Sequence, residues 1–236
     1  MCTLSFFRNP AGGYFIYMNR DERHDRPKAL APQALSPLNK IYGPLDPPSG
    51  GTWIAHNDEG YWGCLLNGYF DEETMPTPAK SRGDILLELL KLKDPLSAIA
   101  DFDPTPYASF RLIIGSPTKH TLWVWNRKDY RPEAFHAEHQ NRAFFISSSS
   151  WNQDEVIQHR VSLFKDYVQS GSKGESLPNF HRSQEPNQQS ATMMYRSYSA
   201  TQSITQLTVT QDSTSMEYQP IFMSARPEEE QSEKLN

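Results

Sequence analysis

Residues 2–23 read CTLSFFRNPAGGYFIYMNRDER, and their reading decides the fold. Residues 3–7 and 14–19 are short apolar runs, and "RNPAGG" between them carries the Asn-Pro and Gly-Gly chemistry of a turn. They predict two neighbouring antiparallel strands. The second strand ends in a dense group of charges, Arg20, Asp21, Glu22 and Arg23. With the hairpin in register, the end of the second strand lies beside the start of the first, which brings Arg20 and Asp21 near Cys2.

Outward from this hairpin, residues 30–49 read as a Pro-rich loop, and "GGTWIAHNDEGYWGCLLNGYF" (50–70) as a second hairpin turning at 57–60. "SRGDILLELLKLKD" (81–94) predicts a helix with Leu86, Leu87 and Leu90 on one stripe. Asp94-Pro95 supplies an N-cap and first position for a short helix running to about 102. Strands dominate next: "SFRLIIG" (109–115), "TLWVWN" (121–126) and "AFFISS" (143–148). Residues 152–169 place Val156, Val161, Phe164 and Val168 at roughly helical spacing. Residues 170–190 are polar and broken by Gly and Pro, hence a loop or lid, and a closing hairpin turns at 211–213. The order of elements predicts an α+β fold, antiparallel sheet with helices segregated to its outer faces. Residues 1–225 form a single expected domain, and 226–236 an expected disordered tail.

Composition narrows the partners. The chain has 236 residues, a formal charge of −5 and no block of Lys or Arg. The electrostatic footprint of a nucleic-acid or anionic-membrane binder is therefore missing, and a small-molecule ligand is expected. No apolar run approaches the roughly 18 residues of a membrane span, and Arg8-Asn9-Pro10 interrupts any signal peptide. Only Cys2 and Cys64 are present, which points to a reducing compartment, the cytosol, rather than a disulfide scaffold.

The chemistry concentrates at the start of the chain. Methionine aminopeptidases remove Met1 when the next side chain is small, and cysteine qualifies. Cys2 would then carry a thiol nucleophile and a free α-amine, whose pKa of about 7.7–8.0 suits a base near neutral pH. Asp21 is placed to orient that amine, and Arg20 to steady a thiolate or a substrate carboxylate. Read blandly, "NRDER" is a solvated strand end.

"MCT", "MNRDERHDRP", "SGGTWIAHNDEGYWGCLLN" and "SRGDILLELL" occur in that order, and the chain resembles the NRDE protein family, also called the transport and Golgi organisation protein 2 family. The resemblance implies an N-terminal-nucleophile hydrolase-like fold of four layers, αββα, with two antiparallel sheets face to face. Cysteine amidases of the same fold class, which act on bile salts and penicillin V, also begin Met-Cys and continue Arg-Asn-x-Asp. Asn19 and Asp21 match that pattern, Met18 stands where the arginine would be, and Arg20 shares its face two residues on. "GCLLN" puts Asn67 where the amidases have an oxyanion-hole asparagine. Ser148 in "ISSSSW" is the nearest match to a further asparagine, and Arg196 is the candidate for a late arginine. By resemblance, then, Cys2, Arg20, Asp21 and Asn67 are catalytic, and Asn19, Ser148 and Arg196 contact substrate.

The remaining constellations have bland readings. His136 and His139 lack further ligands of clear pattern and sit in an expected polar loop, so no metal is expected, and no cofactor. Cys64 reads as a buried core thiol, Trp53 as packing, Gly50 and Gly51 as conformational punctuation, and Arg82 as decoration of a helix start. Two functions stay open. One is an amidohydrolase or acyl-transfer enzyme acting on an amide or activated acyl bond. The other is a non-catalytic carrier of an acyl-lipid or haem. For either, the cavity is expected between Cys2, Arg20, Asn67 and residues 170–190, with one cation, few other charges and many aromatics.

Overall fold

The computed structural model describes residues 2–36, 38, 40–69, 77–138, 142–170 and 177–224. The first hairpin forms as read, from β1 (Cys2–Arg8) and β2 (Tyr14–Arg23), with Cys2 opposite Arg20 and Phe7 opposite Phe15. Successive side chains of a strand point to opposite faces. Leu4, Phe6, Ile16 and Met18 therefore enter one apolar layer, while Phe7 and Tyr17 enter another. Both faces of this hairpin are buried, so it lies in the interior of its sheet.

The second sheet is a meander of β3 (Leu30–Ser36), β4 (Ile41–Leu45), β5 (Ile54–Asn57), β6 (Trp62–Asn67), β7 (Phe110–Gly115), β8 (His120–Trp125) and β9 (Tyr130–Glu133). The first sheet is completed by β10 (His136–Glu138), β11 (Ala143–Ser148), β12 (Ser199–Val209) and β13 (Thr214–Pro220), in the order β10-β11-β1-β2-β12-β13. All of the strand pairs are antiparallel.

Between the sheets lie Leu4, Phe6 and Met18 from one side and Ile54, Trp62, Cys64 and Leu66 from the other. Phe6 anchors this layer, stacked on Phe144 at 4.7 Å and edge-on to Trp62 at 5.8 Å. On the outside, α1 (Asp84–Leu90) covers the second sheet through Leu86, Leu89 and Leu90, and α2 (Pro95–Ala98) through Leu96. α3 (Gln153–Ser170) and α4 (Leu177–Arg182) cover the first through Phe164, Val168, Leu177 and Phe180. The result is the expected four layers, αββα.

Local chemistry sets the boundaries. Asn57 Oδ1 accepts from the Glu59 and Tyr61 amides, and Gly60 adopts φ +82, which closes the β5–β6 turn. Asp94 caps α2 by accepting from the Ser97 amide at 3.2 Å.

Several expectations are corrected. The Pro-rich stretch 30–49 contains β3 and β4: Pro32 falls in a register shift of an edge strand, where its missing N–H costs no ladder bond. The buried face of α1 is Ile85, Leu86, Leu89 and Leu90 rather than the Leu86, Leu87, Leu90 stripe. His136 lies in β10, not in a loop, while His139 is outside the described residues. Residues 177–182 form α4, because Leu177 and Phe180 plug the outer core, so the expected lid contains a packed helix. Residues 171–176 and the expected tail 226–236 are outside the described residues.

Candidate active site

At one end of the inter-sheet layer the strands open into a cavity of about 360 Å³, lined by Cys2, Arg20, Asp21, Trp53 and Asn67 among others. Cys2 is the first residue of β1 and continues the inward row of Leu4 and Phe6, so the core row ends in a thiol at the cavity floor. Asn67 is the last residue of β6 and approaches from the other sheet, its Nδ2 donating to Tyr69 Oη at 3.4 Å. The first sheet thus contributes Cys2, Arg20 and Asp21, and the second Asn67.

A β-bulge in β12 shapes the Asp21 side. The register shifts between Thr201 and Ser203, leaving Gln202 as the extra residue opposite Arg20 and Asp21. Thr201 Oγ1 donates to Asp21 Oδ1 at 2.7 Å, and Arg20 Nη1 donates to Gln202 Oε1 at 3.3 Å. Asp21 is 1% exposed. Burial raises its carboxyl above the usual range, opposed by the charge of Arg160, the Thr201 hydrogen bond and Arg196. Burial likewise pushes the Cys2 thiol up, and the Asp21 charge adds to this. Arg20 and a hydrogen bond from the Asp21 backbone pull the other way.

Arg20 is held by a partner that sequence reading missed. Its Nη2 donates to Asp46 Oδ1 at 2.7 Å, and its guanidinium lies over the Trp53 ring at 4.7 Å. Asp46 also accepts from Arg26 Nε at 3.0 Å, Arg26 Nη2 at 2.6 Å and Ser49 Oγ at 2.6 Å. Burial would raise the Asp46 carboxyl, but these donors outweigh it and hold it low. The one available sequence signal was Asp46 itself, opening a Pro-Pro-Ser-Gly-Gly turn.

The rim joins two of the sequence motifs. Gly51 abuts Gly83 so closely that a Cβ on Gly51 would sit 2.4 Å from the Gly83 carbonyl carbon. Thr52 N donates to Gly83 O at 3.1 Å. "GGTW" and "SRGD" therefore meet backbone to backbone, and the contact requires glycine at position 51. Arg82 lines the cavity and donates to Ser109 O at 2.9 Å, so it is not helix decoration. Trp53 is core and cavity wall at once.

A family model described as "TANGO2: Transport and Golgi organisation 2" matches residues 1–232. The chain belongs to that family. No curated protein matches. Thirty-five chains of solved structure match, among them one described as the Caenorhabditis elegans N-acylethanolamine-hydrolyzing acid amidase (NAAA) ortholog. That chain is 13% identical, with 92% of this chain and 100% of that one covered, at a TM-score of 0.48.

In this TANGO2-family chain the expected site residues divide into two groups. Cys2, Arg20, Asp21 and Asn67 line one cavity. Asn19, Ser148 and Arg196 are not among its lining residues. Asn19 faces the outer layer, where Nδ2 donates to His181 O at 2.9 Å and Thr192 O at 2.8 Å, so strand alternation turns it away from the cavity. Arg196 is buried on that side too, its Nε donating to Gln189 O at 2.9 Å and its guanidinium over Trp151 at 5.0 Å. Ser148 is opposite Cys2 in the β1–β11 register, fully buried, and its hydroxyl has no partner among the described residues.

The cavity is also more charged than expected. Its lining includes Arg20, Arg26, Lys80 and Arg82 against Asp21, Glu22 and Asp46. Residues 177–190 contribute no lining, since α4 packs against the outer face of the first sheet; the rim is built from 46–53 and 78–83. Among the described residues no cluster of His, Cys, Asp and Glu is suited to a metal ion, and no helix is long and apolar enough to cross a membrane.

Proposed function

We propose that this chain is an N-terminal cysteine acyl-transfer enzyme that cleaves an amide or activated acyl bond. The observation that carries the reading is the convergence of Cys2, Asp21 and Asn67 on one cavity from three strands of two sheets. In the proposed form Met1 has been removed and the α-amine of Cys2 is the base. The amine takes the thiol proton, and the thiolate attacks the substrate carbonyl carbon. The Asn67 side chain donates to the oxyanion that forms. The C–N bond breaks as the α-ammonium returns its proton to the leaving amine. Water, deprotonated by the same amine, then releases the acid from the thioester.

Asp21 supports the amine by charge and orientation. Arg20 acts through space: Asp46 holds its guanidinium, and its charge lowers the thiol. The substrate class we propose is an acyl amide or acyl-lipid small enough to bring its carbonyl to a thiol at the cavity floor. Two free cysteines fit a reducing compartment, and we propose the cytosol.

One observation favours a second reading, binding of an acyl-lipid or haem without turnover: burial pushes the Cys2 thiol up rather than down. A single experiment separates the two. Met1-free protein is incubated with a fatty-acyl p-nitroanilide, nitroaniline release is followed by absorbance, and quenched samples are weighed. Release together with one acyl group on Cys2 supports the enzyme. Saturable binding of the anilide or of haemin, with no release and no adduct, supports the carrier.

A further inference from the structure

On the side of the first sheet away from the cavity floor, directly behind Cys2, lies a buried polar layer that the proposed chemistry does not use. Its centre is Arg160 of α3, only 1% exposed. Its Nη1 donates to Thr3 Oγ1 at 2.8 Å and Ser147 Oγ at 2.9 Å. Its Nη2 donates to Ala191 O at 2.6 Å, and its Nε to Ser190 O at 3.1 Å. Thr3 follows Cys2 in β1, and Ser147 precedes Ser148 in β11. The Ser147 hydroxyl in turn donates to the Cys2 carbonyl at 3.4 Å. One guanidinium therefore bridges the thiol's own strand, β1, to its neighbour β11.

These four acceptors are neutral, and a buried guanidinium needs an opposite charge. Asp21 provides it. Arg160 is the foremost charge favouring the ionised Asp21 carboxylate, and Asp21 the foremost charge favouring protonated Arg160. Asp21 and Thr3 lie on the same face, since Thr3 pairs with Asn19 and Asp21 is two residues on.

We propose that Arg160 is a positioning residue of the site: it clamps β1 to β11 beside Cys2 and is the counter-ion that keeps Asp21 ionised. The role is drawn on the reading that Asp21 holds the Cys2 α-amine, while the pairing is drawn from two opposite charges, each 1% exposed, on one face of the sheet. Around Asp21 the other influences are the chain's amino terminus, Arg196, the Thr201 hydroxyl from β12 and the Cys2 thiol. Around Arg160 they are Arg196, the Cys2 thiol and, from α4, His181. Arg196 shares the sign of Arg160 and gives partial support to Asp21, so loss of Arg160 shifts the carboxylate without abolishing its ionisation.

The test is a carbon-13 titration of the Asp21 carboxyl in Met1-free protein, with the resonance assigned by its loss in Asp21→Asn. In Arg160→Met the midpoint should rise by about one pH unit or more, and in Arg160→Lys it should stay near wild type. A folded Arg160→Met protein with an unmoved Asp21 midpoint overturns the proposal and leaves Arg160 a packing residue. If Arg160→Met does not fold, the Arg160→Met/Asp21→Asn double variant should, because it leaves no unbalanced carboxylate. A double variant that also stays unfolded overturns the pairing. The titration requires no substrate, so its failure is distinct from a failure to find turnover.

Discussion

Arg20 stands opposite Cys2 across β1 and β2, yet its guanidinium is spent on Asp46, 2.7 Å away, and on the face of Trp53. A guanidinium so held is a fixed charge at the cavity wall. It tunes the thiol by field, and its donors to Asp46 and Gln202 leave a ligand carboxylate only what those partners do not use. Asp46 is thus the hinge of the cavity's charge balance, shared by Arg20 and Arg26.

Asp46→Asn should fold but lose about 2–3 kcal/mol at neutral pH, since two guanidinium groups lose their shared carboxylate. The Asp46 carboxyl is held below its ordinary value, so its stabilisation is present above about pH 4 and is lost as pH falls through the lower folded value. Thermal melts of wild type and variant across this range should show a constant gap above pH 4 that narrows below it.

Asp21→Asn should behave in the opposite way. Its folded pKa is raised by burial, so the ionised form weighs against the fold, and stability declines as pH rises from about 3.9 through the folded value. At neutral pH the variant should fold and lack this pH-dependent decline, but melt below wild type because the buried Arg160 guanidinium is left without its opposite charge. Acyl transfer should fall by about 10²–10⁴-fold, the usual contribution of a positioned base. Unfolding of the variant would make Asp21 structural.

His181 forms a fully buried chain with Ser5 Oγ, at 2.7 Å from Nε2, and with Asn19. The resemblance to a Ser–His–Asn triad is geometric only, because Ser5, Asn19 and His181, the last on α4 itself, are all fully buried. Burial and then Arg160 push His181 down to about 3. The unfolded chain takes up this proton below about pH 6.5 and the folded chain does not, so stability falls progressively from there towards pH 3. His181→Gln should melt lower than wild type at pH 7 and lose less between pH 6.5 and pH 4. His120, pushed down to about 4, leaves part of the slope in place.

The part of the fold legible in the sequence was the part written in neighbouring residues. The hairpin of β1 and β2 could be read because its turn is local and its aromatic residues mark both strands, and the register then delivered Arg20 beside Cys2. Asn67 was legible through its motif. Asp46 was not, because its bond to Arg20 spans 26 positions and its Pro-rich surroundings read as loop. Arg160 was hidden for a related reason: it lies on a helix of low apolar contrast, and burial of an arginine is set by the polar layer it meets, not by its own segment. Asn19 matched a motif yet faces the outer layer, since side chains alternate along a strand and its neighbour Arg20 takes the inward position.

The site claim is tested most directly by weighing the purified protein before and after brief exposure to an acyl-chloromethyl ketone, then mapping the label. The expected outcome is a chain lacking Met1 that takes up one equivalent on Cys2 well before Cys64, which is fully buried and whose thiol burial pushes well up. Retention of Met1, or labelling of Cys64 as fast as Cys2, would show that Cys2 is not the nucleophile of this cavity.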